Sequence, residues 1–484
     1  MTRNKLKSSL GILVLSFTLG ACSLPKLAQS PDPLQTPDTF AVATVNNFPA
    51  DTQNTGLLNW RQFFKDSNLI ALIDTAFQHN QELSIILQEI AIERNDIQAK
   101  KGEYLPFVNI GAGAGVDKSG SYTRNGAVEH SLEVKPGTPF PDPVPDFLLN
   151  AQVSWELDIW KKLRNAKQAQ VMRYLSSQEG KNFMVTNLVS EIASSYYELL
   201  SLDQQLKILK QNIAIQENAL AIVRLQKMAG TVTELAVLRF EAEVLKNQSK
   251  QYIIQQEVYE AENRINFLVG RFPQTVARDS SSFQHSFTDS IHAGIPSQLL
   301  MNRPDIRQAE FDVAASKLDV KVAKAKFYPN LSIHAGTGYQ AFNARYLFTS
   351  PQSLMYSAAG ELMAPLINRK ALKADYLNAN SRQIKAVYNY QKAVLNGFIE
   401  VSNQLSNLNN LNRSYALKNK QVEALTKSIS ISSTLFKSAH ADYMEVLLTQ
   451  RDALEAKMEL VELKKQQLQS VVRMYQVLGG GWTN

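Results

Sequence analysis

Few residues in this chain have the type and spacing for covalent or metal chemistry. The lone cysteine is Cys22. A single thiol excludes an intramolecular disulfide and any cysteine-based zinc or iron–sulfur site. The six histidines, at 79, 130, 285, 292, 334 and 440, are scattered without ligand spacing. There is no phosphate-binding G-x-x-x-x-G-K-[ST], no H-E-x-x-H and no G-x-S-x-G. The run Gly111-Ala-Gly-Ala-Gly115 lacks the dinucleotide spacing and falls in a strand pattern. The expectation is a protein that is not an enzyme and holds neither cofactor nor metal. Any energy for its work then comes from a partner.

Cys22 closes a leader. Arg3, Lys5 and Lys7 precede the apolar run Leu10 to Thr18. That run is too short for a spanning helix, so residues 1–21 read as a secretory signal peptide. Leu19-Gly20-Ala21-Cys22 resembles the bacterial lipobox, in which small residues suit the peptidase groove and the cysteine becomes the lipidated first residue. An ordinary signal peptide with an incidental cysteine is the alternative. In enteric bacteria an Asp after the cysteine retains a lipoprotein at the inner membrane, so Ser23 points to the outer membrane. One acyl chain anchors only marginally, but a mature lipoprotein carries three. Residues 22–58 hold Pro25, Pro31, Pro33, Pro37 and Pro49 among polar residues, which reads as a lipid-anchored extended tether.

Composition is that of a globular chain. It has 484 residues, 44% hydrophobic and 20% charged, enough for about three domains at roughly 150 residues each. A mean hydropathy of −0.21 excludes a polytopic helical membrane protein. The formal charge is +7, of which the leader carries three, and the rest is spread along the chain. No nucleic-acid partner is expected.

The elements that must position any site come as one pattern written twice. Tyr104-Leu105-Pro106-Phe107-Val108-Asn109-Ile110 matches Tyr328-Pro329-Asn330-Leu331-Ser332-Ile333, with Pro106 and Pro329 offset by 223. Further on the offset settles at 209: Gly230 aligns with Ala439, Glu234 with Tyr443, Gly270 with Gly479 and Glu191 with Glu400. Each half reads helix, strand, loop, strand, very long helix, tip, helix. The expected divisions are a first repeat at 59–270, a connector at 271–298, a second repeat at 299–479 and a tail at 480–484.

The strands alternate. In 147–160 the odd positions Phe147, Leu149, Ala151, Val153, Trp155, Leu157 and Ile159 are apolar and the even ones are mostly polar. Residues 105–116 and 329–339 alternate similarly, and 354–366 less cleanly. Period two gives a strand with one apolar face. The lengths suit a transmembrane strand of about 9–11 residues, or a sandwich strand facing a core. Four strands cannot close a membrane barrel, so spanning a membrane requires several chains to share one. Pro106 and Pro329 open strands, where a missing N–H costs no ladder bond. Residues 118–146, rich in proline, read as a long extracellular loop.

The helices are long. Gly180 is the only breaker between Lys161 and Ala229, and Gly397 between Lys370 and Ser438. Each helix would reach about 100 Å. Residues 231–269 and 442–478 contain neither Gly nor Pro. Leu199, Leu202, Leu206, Leu209 and Ile213 step as a coiled-coil seam, as do Leu454, Met458, Val461, Leu468, Val472 and Tyr475. The tips fold each long helix back into a hairpin.

Residues 58–482 resemble the outer-membrane efflux channels of the TolC and OprM type, in the lipoprotein branch that serves resistance–nodulation–division (RND) pumps. Three motifs carry the resemblance: Ser154-Trp155-Glu156-Leu157-Asp158-Ile159-Trp160, Leu299-Leu300-Met301-Asn302-Arg303-Pro304-Asp305-Ile306-Arg307, and Leu478-Gly479-Gly480-Gly481-Trp482. It implies an α+β fold: a homotrimer with a 12-stranded outer-membrane β-barrel, four strands per chain, continued by a 12-helix periplasmic α-barrel with an equatorial domain. It implies a passive exit duct for small molecules, with a periplasmic adaptor, an inner-membrane RND transporter and outer-membrane lipid as partners. Type I protein secretion and a non-conducting structural lipoprotein are the alternatives. The sequence departs from the family at Lys161, where a glycine is usual, and at Pro365-Leu366-Ile367-Asn368-Arg369-Lys370, which lacks the usual glycines; a different bend is expected there.

The resemblance also implies sites. Family channels close by inward coiling of the second hairpin, and an acidic position of their constriction aligns with Glu445. Asp442 and Glu234 are further carboxylates near the tips, and Phe436 aligns with an aromatic near the gate. A ring of carboxylates in a narrow pore favours cations. A solvated helix face is the alternative for the acids, and coiled-coil packing for Phe436. The tips Gly230, Thr231 and Val232, and Ala439, His440 and Ala441, are expected to meet the adaptor. His440 could make that docking pH-sensitive.

If Cys22 is the anchor, Cys22→Ala should reduce membrane retention in fractionation while trimers still insert. Complete loss of trimers would contradict an independently folding barrel.

Overall fold

Both halves run helix, long strand, long strand, very long helix and returning helix, the first half with further short elements, in the computed structural model, which describes residues 24–32, 34, 37, 39–40, 53–280, 282–284, 292–438 and 440–482. The leader, Cys22 and Ala439 lie outside the described residues. The first half runs α1 (Trp60–Phe63), α2 (Ser67–His79), α3 (Gln81–Tyr104), β1 (Phe107–Asp117), α4 (Arg124–Ser131), β2 (Glu133–Lys135), β3 (Thr138–Pro139), β4 (Val144–Leu157), α5 (Lys162–Met228) and α6 (Glu234–Leu268). The second runs α7 (Gln298–Asn302), α8 (Pro304–Ala325), β5 (Asn330–Ala341), β6 (Leu354–Met363), α9 (Lys370–Lys437) and α10 (Tyr443–Val477). Helices α5 and α9 have 67 and 68 residues and pass through Gly180 and Gly397 unbroken.

The described residues fall into two units. One draws on Met1–Pro31, Ala91–Tyr174 and Phe311–Val387, the other on Asp32–Ile90, Leu175–Glu310 and Tyr388–Asn484.

The first unit holds an antiparallel sheet in the order β1-β4-β5-β6. Its register aligns the alternation of all four strands. Val108 lies opposite Val153, Val153 opposite Ala335, and Ala335 opposite Ala358. Ile110, Trp155, Ile333 and Leu362 fall on the same face, and Asn109, Gln152, Ser154, His334 and Glu361 on the other. β1 and β6 each have one edge that pairs with nothing among the described residues. The 118–146 loop is itself structured, with α4 and the β2–β3 hairpin.

The strand ends differ from the sequence reading for identifiable reasons. β4 ends at Leu157 rather than 160 because Asp158 caps α5. Its carboxylate accepts from the backbone N–H of Leu163 at 3.0 Å and of Arg164 at 2.9 Å, and pairs with the Arg164 guanidinium. β6 ends at Met363, two residues before Pro365, which has no N–H for a ladder. Lys161 and Asn368 take φ values of 58° and 53°, the left-handed region that glycine enters freely. The two signature tryptophans tie down the strand starts: Trp155 Nε1 donates to Tyr104 O at 3.1 Å and Trp160 Nε1 to Pro329 O at 2.7 Å.

The described residues of the tether between 24 and 40 form no helix or strand, and several of them are docked. In the first unit Leu24 and Leu27 pack against Ala323, Phe327, Tyr376 and Ala379, and Asn380 Nδ2 donates to Ala28 O. In the second unit Gln391 Nε2 donates to Asp32 O, and Phe40 is buried and stacked on Phe398.

The second unit is a helical core. Both seams read from the sequence lie in it, with Leu199, Leu209 and Val472 fully buried. Positions related by the offsets make the same contacts. Gly270 and Gly479 have φ values of 72° and 88°. A Cβ there would strike His79 O and Asn302 O at 2.1 and 2.6 Å. Asn80 Nδ2 donates to Leu268 O, and its counterpart Arg303 donates from Nη1 to Val477 O.

Burial pushes the Asp158 carboxyl up, but the two backbone N–H groups and Arg164 outweigh it and hold it below its usual value. Its contribution is therefore present above the unfolded carboxylate range and is lost as pH falls through the lowered folded value. Asp158→Ala should cost about 1–2 kcal/mol at neutral pH. Thermal unfolding in detergent should show the deficit shrinking towards zero in acid.

Candidate functional site

The two helical hairpins end in closely similar turns. Past α5, Gly230 N–H bonds Lys227 O and Thr231 N–H bonds Gln226 O, both at 2.9 Å, with Gly230 at φ 74°. Past α9, His440 N–H bonds Leu435 O at 2.9 Å, the equivalent of the Thr231 bond. The returning helices start alike: Ala236 N–H bonds Thr233 O, and Glu445 N–H bonds Asp442 O, both at 3.1 Å. Gly230, Thr231 and His440 are exposed. His440 Nδ1 lies 2.8 Å from Ser438 O. Ala441 is half-buried, and Val232 turns inward.

Side chains near the turns differ between the halves. In the first hairpin Lys227 and Glu234 form an ion pair, and Arg224 with Glu241 a second at 3.5 Å. The counterparts of Lys227 and Glu234 at offset 209 are Phe436 and Tyr443. Both are half-buried and pack, with Ala219 and Val232, around a cluster containing Leu220, Val223, Ala236, Phe240 and Leu447. The cluster joins the two hairpins. Phe436 therefore has a packing role in this structure. Tyr443 was not singled out from the sequence, although the offset from Glu234 points to it.

The three acids are in unequal settings. Glu234 is paired to Lys227. Asp442 is the exposed N-cap residue of α10, and its side chain makes no capping bond. Glu445 is exposed in the first turn of that helix. The positive end of the α10 dipole favours both anions.

The root of the second hairpin is held by a buried cation. Arg303 donates to Asp305 from Nε at 3.0 Å and Nη2 at 2.7 Å, and from Nη1 to Glu400 at 2.9 Å. Arg473 also reaches Glu400, at 3.4 Å. Gly397 gives Arg303 room, since a Cβ there would lie 3.2 Å from Nε. Burial pushes the guanidinium down, but Asp305 and Glu400 more than offset it and keep it charged. A cavity of about 160 Å³ lies beside it, lined by Asn187, Asn396 and Arg473 among others. In the first half Arg264 and Glu191 repeat the Arg473–Glu400 pair at 3.2 Å, but Asn80 brings no charge to it.

The sequence profile described as outer membrane efflux protein matches residues 72–271 and 295–480. The chain belongs to the outer membrane efflux protein family. It is 26% identical over 426 residues to the pyoverdine export outer membrane protein OpmQ of Pseudomonas aeruginosa, covering 87% of each chain. It is 26% identical over 473 residues to the cation efflux system protein CusC of Escherichia coli O6:H1, covering 97% of each. The crystal structure of the open state of the Neisseria gonorrhoeae MtrE outer membrane channel superposes with a TM-score of 0.82 at 20% identity, covering 95% of this chain and 98% of that one. The protein is thus an efflux component of the outer membrane, with the α+β fold of its channels.

Arg303→Asn, which copies the first-half residue, leaves Asp305 and Glu400 without their shared cation. It should cost roughly 3 kcal/mol, against about 1 kcal/mol for Asn80→Ala, as read by thermal unfolding of the purified protein.

Proposed function

We propose that three copies of this chain form one exit duct of a tripartite efflux system. The observation that carries the reading is the four-stranded sheet, apolar on one face and polar on the other, with two open edges. Hydrocarbon leaves no backbone group unpaired, so spanning strands must close into a barrel. Three sheets supply twelve strands, within the range of outer-membrane barrels. The apolar face meets lipid and the polar face lines the pore.

Cys22 carries the lipid. Leu24, two residues on, packs beside Phe327 just before β5, which supports an acylated residue 22 near the bilayer surface. The hairpin ends project into the periplasm, where Gly230, Thr231 and Val232, with Ala439, His440 and Ala441, meet the adaptor. An inner-membrane RND transporter supplies the energy. Relatives are named for pyoverdine export and for cation efflux, which supports small-molecule cargo, drugs or other toxic compounds, chosen upstream of the duct.

At the gate, Glu445 and Asp442 supply the luminal charge, because Lys227 neutralises Glu234. Phe436 and Tyr443 hold the second hairpin against the first.

Single-channel recording of purified trimers in planar bilayers tests the reading. Discrete conductance steps are expected, with larger steps for Glu445→Ala. A verified trimer that gives no steps, even with both hairpin turns loosened by substitution, would support a non-conducting structural lipoprotein.

A further inference from the structure

We infer that His334 sets the ion selectivity of the pore through a proton switch inside the β-barrel. The inference rests on the reading of the polar sheet face as the pore lining. His334 lies on that face, with Ser154 of β4 and Ala359 of β6 directly opposite it. One pair further towards the strand ends, Ser332 lies between Glu156 and Glu361. His334 Nε2 is 3.8 Å from a Glu361 carboxylate oxygen, and both side chains are about half exposed, at 50% and 53%.

The surrounding charges leave this pair as the variable one. Glu156 is held by Lys162 at 2.5 Å. Lys326, near the same strand ends, is paired with Asp375 at 3.1 Å. Asp158 is capped and paired with Arg164. β1 brings no titratable residue to this face between Phe107 and Val116. At the far end of the sheet, Asp146 accepts from Gln340. Among the described residues, Glu361 is thus the carboxylate at this end of the sheet whose only ionic partner is a histidine.

Histidine is the side chain that ordinarily changes charge between about pH 5 and 8. With His334 neutral, the Glu361 of each chain is an uncompensated carboxylate at this level of the lumen. A trimer then carries a ring of three, which favours cations. With His334 protonated, each Glu361 faces a cation and the ring is compensated. Selectivity for cations falls on acidification, without movement of the backbone.

The test is the reversal potential of purified full-length channels in a potassium chloride gradient, recorded from pH 8 to pH 5.5. The cation-over-anion permeability ratio should fall about two-fold or more in the native protein. His334→Gln should keep the pH 8 ratio and lose the pH response. Glu361→Gln should begin, at pH 8, near the ratio the native channel shows in acid. His440→Gln, at the hairpin end, should leave the response intact. A response that survives in His334→Gln, or that vanishes in His440→Gln, overturns the inference. So does a pH 8 ratio unmoved by Glu361→Gln. His334→Asn serves as the second variant if His334→Gln yields no channels. Absence of steps in the native protein instead defeats the channel reading itself.

Discussion

An antiparallel sheet of four strands leaves two rows of backbone groups unmet. β1 and β6 each present one such edge. In water those edges invite uncontrolled association, and in hydrocarbon they are untenable. On the function proposed above this sheet spans the outer membrane, and neighbouring chains supply the missing hydrogen bonds. The rest of the design serves that constraint. Alternation keeps the apolar face continuous across four strands, and the tryptophan bonds to Tyr104 O and Pro329 O fix where the strands begin.

The helical part carries equivalent contacts in its two halves, with different charges around them. Its backbone contacts are shared: Gly270 and Gly479 both let a helix end pass against a neighbouring carbonyl. The charges are not shared. Asn80 and Arg303 reach equivalent carbonyls, but only Arg303 gathers Asp305 and Glu400 around it. Near the tips an ion pair in one hairpin becomes two aromatic rings in the other. An exposed ion pair stabilises little, whereas Phe436 and Tyr443 bury apolar surface against the first hairpin.

Periodicity made most of this legible. Alternation located the strands, the 3.5-residue seams located the core of the helices, and the offset of 209 paired the hairpins. What escaped was whatever depends on a partner distant in sequence. The end of β4 was misplaced because Ile159 continues the alternation, while Asp158 is committed to capping α5. Lys161 departs from the usual glycine, and the backbone there takes the left-handed region with a residue ill suited to it. The tether's prolines predict an extended segment but say nothing of Leu24, Leu27 and Phe40, which anchor it. The environment of Glu234 could not be seen until Lys227 was placed across the turn. Cys22 and Ala439 rest on the sequence alone.

Writing one pattern twice within a single chain has a consequence for inheritance. Were the halves separate identical subunits, every substitution would strike both hairpins at once. Here a change at Tyr443 leaves Glu234 untouched, and a change at Arg303 leaves Asn80 as it was. One hairpin can be kept as it is while selection retunes the other.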